Sequence, residues 1–350
     1  MFLQVYLHLL LAPPHLTDNL PRTNLGDFSP AQPDKYTFHE RIVQLTLEWN
    51  LQVNKMSPNS LPSPTQITLT PSELTSKRLT SHTLQKALSA LHNDGLLVLT
   101  NAIDPSHLDS LNSRMLPDAY TLYNQQSTHR NFGHDTGNIQ QEPVCEKEYI
   151  FEDVLANPFA VSIIECMVGP NPHLRFYSAN TAFKASERQP VHVDVDYENM
   201  PAFPFAFCVN VTLVEATPEN GATEVWLGTH SLPDNGTLDS MSHVKRLTPE
   251  TLEERRKISP GFQLALPKGA MVIRDLRLWH AGRPNLTDQP RIMLVSILFA
   301  EWYRSKQKIV LPRSLQGIFD WGRLVPCVEW VNDGFDYLKG GHEHDLSLLP

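Results

Sequence analysis

The sequence predicts a mainly β fold, one all-β barrel or double sheet with helices packed outside it. Three observations carry that reading. From about residue 173, short β-rich runs follow one another: "HLRFYSANTAF", "VHVDVDY", "FAFCVNVTLVE", "TEVWLG", "FQLALPKGAMVI" and "RIMLVSILFAEW". Turn signals such as "TPENGA" and "PDNG" separate them. No internal repeat and no strand–helix alternation calls for a parallel sheet. A chain of 350 residues can fill one large core or two modest ones, and 41% apolar with 19% charged residues makes it an ordinary globular chain.

Residues 1–75 read as an irregular N-terminal arm that ends in a Pro/Ser/Thr-rich connector, "SPNSLPSPTQITLTPSEL". Within the arm, "YTFHERIVQLTLEWNLQV" fits a strand or a helix. Residues 76–350 read as one domain. In "TSHTLQKALSALHNDG", Leu84, Ala87, Leu88 and Leu91 recur at helical spacing, Thr80 or Ser81 caps the start, and Asn93-Asp94-Gly95 stops the helix. "LLVLTNAI" reads as a buried strand, "DPSHLDSLNSRML" as a capped helix, and "FEDVLANPFAVSIIECMVG" as another helix. The loop "YNQQSTHRNFGHDTGNIQQ" is polar; it is a candidate mobile substrate loop or a solvent-exposed excursion, with His129, Arg130 and His134 inside it. The tail after residue 304 is too aromatic to hang loose and is expected to pack on the barrel.

Composition narrows the function classes. A formal net charge of −9 with no Lys/Arg-rich block argues against nucleic acid as a partner. The four cysteines, Cys145, Cys166, Cys208 and Cys327, show no close pairing, so neither a CxxC metal site nor a disulfide framework is expected. The apolar start "MFLQVYLHLLLAPPHLTDNL" lacks a basic n-region and is too short to span a bilayer. A reduced, cytoplasmic setting with no membrane partner follows, as a monomer or a homodimer.

The chemistry-bearing residues begin in "RQPVHVDVDYENM". Residues two apart on a strand share a face, so His192 and Asp194 project together while Val191, Val193 and Val195 face the other way. Asp196 shares the polar face near the strand's end. His280 closes another apolar run, "VIRDLRLWHAG", and barrel closure can bring such distant positions together. Two imidazoles and a carboxylate on one side of an iron leave three positions open, as a bidentate ketoacid and then dioxygen require. HxD by itself is a weak signal, since the same residues can cap a turn or sit in water. Arg291 raises it. Eleven residues beyond His280, it opens "RIMLVSILFA", where a buried guanidinium needs a compensating partner, and its planar fork suits the far carboxylate of a small diacid.

The pieces "QPVHVD", "VTLVEATPENGATEVWLGTHSL", "GAMVIRDLRLWHAGRPN" and "DQPRIMLVSILF", in that order, resemble the phytanoyl-CoA dioxygenase family of Fe(II)/2-oxoglutarate-dependent oxygenases, particularly its fungal secondary-metabolite members. The resemblance covers residues 173–302 and, more loosely, the region from about 80. It implies a double-stranded β-helix (a jelly-roll, cupin-like core) over about 173–302. It also implies His192, Asp194 and His280 as iron ligands and Arg291 on the C5 carboxylate of 2-oxoglutarate. Gln189 and Thr223 resemble cosubstrate-contacting residues of the family, and His230 in "GTH" is read as structural. The carboxylate at Asp194 disfavours halogenation, because family halogenases carry a small residue there. The implied reaction takes Fe(II), 2-oxoglutarate and O2, oxidises a C–H bond of a small molecule, and releases succinate and CO2. Hydroxylation, desaturation, epoxidation or cyclisation are all open outcomes. Tyr197, Phe205, Trp226 and Trp279 are candidate substrate contacts. Two rivals stand beside this reading: a cupin-like iron enzyme that uses no 2-oxoglutarate, and a non-catalytic β-barrel that binds a small molecule.

Overall fold

The structure is a computed structural model, and it describes residues 63–195, 201–232, 238–239, 246–339, 346 and 348–349. The arm segment "YTFHERIVQLTLEWNLQV" lies outside the described residues, as do Asp196 and Tyr197. In chain order the first elements are β1 (Thr65–Thr68), α1 (Pro71–Ser76), α2 (Ser81–Asp94), β2 (Leu96–Thr100), α3 (Pro105–Tyr123) and β3 (Asn138–Gln141). Then come α4 (Glu152–Leu155), α5 (Pro158–Val168), β4 (His173–Ala182), β5 (Ala206–Thr212), β6 (Glu224–Val225), β7 (Leu238–Asp239) and β8 (Arg246–Leu247). The last are α6 (Pro249–Ile258), β9 (Phe262–Gln263), β10 (Met271–Asp275), β11 (His280–Ala281), β12 (Arg291–Phe299), β13 (Ile309–Pro312), β14 (Val325–Pro326) and β15 (Val328–Val331).

A large sheet runs β1-β2-β10-β5-β12-β4, with β14 and β3 both on the far edge of β4, and a small sheet runs β11-β6-β9. Together they form the double-stranded β-helix. Apolar runs without strict alternation are the mark of a sheet covered on both faces, and "LLVLT" shows why. Leu97 and Leu99 join the main core against the helices, while Leu96 and Val98 join a second cluster with Val225, Leu264 and Leu266 between the sheets. The site therefore sits inside the barrel, behind a wall of helices.

The helices start and stop where their side chains dictate. Thr80 Oγ1 accepts the Thr83 N–H at 3.2 Å to cap α2, and Gly95 ends it in the left-handed region at φ 73°. A Cβ at Gly95 would meet His230 Nδ1 at 2.5 Å, so the turn needs glycine twice over. The helix expected across 151–169 is broken in two. Pro158 cannot continue a helix but suits its first turn, and Asn157 Oδ1 caps the restart by accepting from Phe159 and Ala160 N–H.

Three expectations are corrected. Residues 65–76, assigned to the connector, form an edge strand paired in parallel with β2 and a helix closed by a Thr70–Glu73 capping box. "VHVDVDY" is no continuous strand among its described residues; only His192 is paired, through bridges to His280 and Arg246. The loop at 123–141 is tied down: Asn131 N–H donates to Asn138 O, Gln140 N–H to His129 O, and β3 pairs with β4. The aromatic tail packs as expected, with β14 beside the start of β4. No described helix is long and apolar enough to cross a membrane.

Candidate metal and cosubstrate site

His192 and His280 face each other as a hydrogen-bonded antiparallel pair: His192 N–H donates to His280 O at 2.9 Å, and His280 N–H to His192 O at 3.1 Å. The register fixes the two imidazoles side by side, ring centroids 4.3 Å apart. Each ring is oriented the same way. His192 Nδ1 lies 2.9 Å from Pro190 O, and His280 Nδ1 lies 3.1 Å from Leu278 O. A carbonyl accepts only from an Nδ1–H, so the Nε2 lone pair of each ring is left for a metal.

Both Nε2 atoms converge on one carboxylate oxygen. Asp194 Oδ1 is 3.3 Å from His280 Nε2 and 3.7 Å from His192 Nε2. Three donors from His192, Asp194 and His280 lie within 4.8 Å of one another, and no other such group of three occurs among the described residues. Adjacent ligands about 2.1 Å from a first-row metal stand roughly 3.0 Å apart, so small movements close the observed spacing onto an ion. The donor set fits iron: two neutral imidazoles and a carboxylate on one face, the rest open.

Electrostatics keeps His192 neutral and Asp194 ionised, the forms in which they ligate. Burial, then the neighbouring His280, pushes the His192 pKa down to about 3, so its imidazole is neutral at physiological pH. Burial alone would raise the Asp194 pKa, but His280 and Arg274 beside it hold it well below the usual carboxylate range. Arg274 Nη2 donates to Asp194 Oδ2 at 2.7 Å, which leaves Oδ1 to face the imidazoles.

Arg291 lies in the same small cavity as Arg274. From the large sheet the cavity is lined by Asn210, Thr212, Val272, Arg274, Arg291 and Met293; from the opposite side by Thr223, Val225, Leu264 and Leu266. Arg291 is 2% exposed. Its Nε donates to Asn220 O at 3.1 Å and its Nη2 to Gly221 O at 2.9 Å. These carbonyls come from the Asn220-Gly221 turn, where Gly221 has φ 82° and a Cβ would stand 2.7 Å from Arg283 O. Among the described residues no carboxylate pairs with Arg291, and burial lowers its pKa to about 10. A cation left without a counter-ion in a closed cavity calls for an anionic ligand.

Of the other sequence candidates, Thr223 lines the cavity. Gln189 is not among the lining residues and is held on Gly282 instead: its Oε1 accepts the Gly282 N–H at 2.8 Å, while its own backbone N–H donates to Gly282 O. Trp226 and Trp279 pack behind the histidine pair with Val191, Val193, Leu247 and Ala281, not in the cavity. Phe205 is fully buried on the helix-facing side of the large sheet, stacked on Tyr303 at 4.6 Å. In "FPFAFCVNVT" the even positions Cys208, Asn210 and Thr212 turn inward instead, and Phe203 is exposed. His230 stands apart from the triad, its Nε2 3.2 Å from His92 O.

Two neighbours of the site escape sequence reasoning. Arg274 had a usable signal, an arginine inside the apolar strand "MVIRD". Phe132 had none. At the tip of the tied-down loop it stacks 4.5 Å from the His192 ring, in the left-handed region at φ 64°, with the Arg246 guanidinium 5.4 Å above its own ring. A bulky residue held in that conformation is strained, and surrounding contacts must hold it there.

The profile of the family described as phytanoyl-CoA dioxygenase (PhyH) matches residues 91–293. The chain belongs to that family. A curated relative, dioxygenase af480 of Aspergillus fumigatus, is 26% identical over 190 residues, covering 51% of this chain and 55% of the relative. The chain thus spans about half the length of the curated relative it matches. Among solved structures, the epimerase SnoN in complex with Fe3+, alpha ketoglutarate and nogalamycin RO superposes with a TM-score of 0.48 at 18% identity, over 64% of this chain and 86% of that one. AviO1 from Streptomyces viridochromogenes superposes at 0.47 and 19% identity, over 64% of this chain and 97% of its own.

Proposed function

We propose that this chain is an Fe(II)/2-oxoglutarate-dependent oxygenase that oxidises a C–H bond of a small molecule of secondary metabolism, releasing succinate and CO2. The observation that carries the reading is the pairing of two features in one interior. The His192/Asp194/His280 donors converge on one point, and the uncompensated Arg291 lines the cavity beside them. A metal triad alone suits many iron proteins; a buried arginine with no counter-ion alongside it suits a dicarboxylate cosubstrate.

In this reading His192, Asp194 and His280 hold the iron, and Arg291 holds the far carboxylate of 2-oxoglutarate with Thr223 beside it. Iron with 2-oxoglutarate and O2 supplies the oxidising power; the protein supplies placement and exclusion of water. Arg274 fixes the free oxygen of Asp194, Pro190 O and Leu278 O fix the imidazoles, and Phe132 walls one side of His192. Gln189, anchored on Gly282, stays within the strand bend that presents His192. The net negative chain acts in the cytoplasm with neither nucleic acid nor membrane as partner.

Anaerobic reconstitution with Fe(II) and 2-oxoglutarate, then exposure to O2 with candidate metabolites, tests the assignment. Succinate that forms only with both, and that is lost in His280→Ala, is the expected result. Iron-dependent oxidation without succinate would instead identify an iron enzyme of the cupin type.

A further inference from the structure

Arg274 has one more hand than Asp194 needs. Its side chain is 5% exposed, and Nη2 is taken by Asp194 Oδ2 at 2.7 Å. Nη1 is buried with no hydrogen-bond partner among the described residues. A guanidinium N–H orphaned in the interior is costly, and few native sites tolerate one without a reason. The side chains around it offer no good acceptor. Cys208, its cross-strand neighbour on β5, lies against the guanidinium, but its thiol, which donates to Asn210 Oδ1, is only a weak acceptor, and Val272 and Met293 are apolar. Among the described residues no carboxylate lines the cavity that Arg274 and Arg291 share.

The sheet register shows how the two arginines divide that cavity. Arg274 is opposite Cys208, and Cys208 is opposite Ile297 on β12, six residues from Arg291. Six residues of strand span roughly 20 Å. Two long side chains thus enter one cavity from opposite ends. Arg274 is at the end where Asp194 sits; Arg291 is at the other.

From this we infer that Arg274 is a two-handed positioning residue: Nη2 restricts Asp194 to one ligating oxygen, and Nη1 donates to the metal-proximal end of the 2-oxoglutarate. The dicarboxylate is then held by an arginine at each end. The inference rests on the iron-site reading above and adds a residue to it. A residue that merely neutralised Asp194 would need only its charge, whereas this assignment needs the fork.

The test uses the full chain without O2, in two titrations. Fe(II) is titrated first, by calorimetry; 2-oxoglutarate is then titrated into the Fe(II)-loaded protein and followed by the visible charge-transfer absorption of the iron–ketoacid chelate. Arg274→Lys keeps the charge beside Asp194 but has a single head. It is expected to melt near the wild type and bind Fe(II) within about threefold of it. Its 2-oxoglutarate affinity is expected to fall at least roughly tenfold, the loss of one charge-assisted hydrogen bond, with an altered absorption band. Arg274→Met, which strands Asp194, is expected to weaken both steps or to fail to fold; Arg274→Lys carries the test in that event. Unchanged 2-oxoglutarate affinity and spectrum in Arg274→Lys would overturn the inference, and so would equal losses in both titrations, which would mean that Arg274 acts only through Asp194. Failure of the iron site itself shows up separately: Fe(II) binding that survives His280→Ala sinks that reading before any 2-oxoglutarate is added.

Discussion

Replacing Arg291 by methionine should leave the ligand-free protein nearly as stable as before while abolishing its response to 2-oxoglutarate. The reasoning weighs two opposed effects. Burial moves the guanidinium pKa from 12.5 to about 10, so holding the charge in the empty cavity costs about 3 kcal/mol. Removing it recovers that cost. Against it stands the loss of hydrogen bonds to Asn220 O and Gly221 O, each about 1.5–3 kcal/mol when the donor is charged. Methionine fills most of the volume, so the cavity contribution is small. The effects nearly cancel, and Arg291→Met should melt within roughly 4 °C of the wild type.

Ligand binding has no such cancellation. A bidentate arginine–carboxylate contact in a closed cavity is worth several kcal/mol, so its loss weakens 2-oxoglutarate by about 10²–10³-fold. In the wild type loaded with Co(II), 2-oxoglutarate at a hundred times Kd stabilises the fold by about 2.7 kcal/mol, a rise of several degrees that differential scanning fluorimetry resolves. Arg291→Met should show none of that rise at the same concentration. A collapse of the ligand-free variant by more than roughly 10 °C would mean that Arg291 is a structural cation, and a preserved rise would mean that the diacid binds elsewhere.

Further outcomes follow from single contacts. A Cβ at Gly282 would lie 2.7 Å from Gln189 Cδ and Oε1, so Gly282→Ala should cost about 1–3 kcal/mol by urea denaturation. In a Gln189→Ala background it should cost less, because the clash is gone; equal costs would show that the two side chains do not compete. Phe132→Gly exchanges a ring contact worth about 1 kcal/mol for relief of about 1–2 kcal/mol of left-handed strain. Stability should therefore hold within about 1 kcal/mol while succinate released without substrate rises; a large drop in stability would refute the strain. Glu73 is buried in its capping box. Burial would raise its pKa, but the N–H groups of Thr70 and Thr80 hold it at about 2. A depressed carboxylate stabilises the fold above its unfolded value near 4.5, and that stability is lost as pH falls toward 2. Glu73→Gln should therefore trail the wild type by up to about 3 kcal/mol at pH 7, with the gap roughly halved by pH 3 and closing only near pH 2; a gap independent of pH would place the effect in the lost hydrogen bonds alone.

Much of the architecture could be read from periodicity. The caps of α2, the run at 96–100 and, "VHVDVDY" excepted, the strand runs after residue 173 lie where their patterns point. Reading fails where a pattern has no phase. "FPFAFCVNVT" is largely apolar on both faces because both are covered, so little that is local says that Phe205 turns toward the helices and Asn210 toward the cavity. Only the register with β10 and β12 decides it. Phe132 is harder still. It reaches His192 because β3 pairs with β4 forty residues away and carries the loop tip with it, a tertiary event that composition does not encode.

The triad and its supports divide along the same line. His192 and Asp194 are legible from their two-residue spacing, although only His192 is paired and Asp194 reaches the histidines from a bend rather than a strand. His280 and Arg291 are legible only as pieces of an ordered motif, since a bridge across the barrel has to unite them. Arg274 shows what remains beyond both kinds of reading. Its oddness, a charge inside "MVIRD", was plain, but the same oddness fits a solvent-facing bulge, a core ion pair or a ligand contact. The fold decides among these through one coincidence of register: β10 sets Arg274 where one nitrogen meets Asp194 and the other meets no protein acceptor among the described residues. Other described arginines also bury an unpaired nitrogen; what sets Arg274 apart is its place between Asp194 and the cavity that Arg291 lines, where a ligand would finish the network.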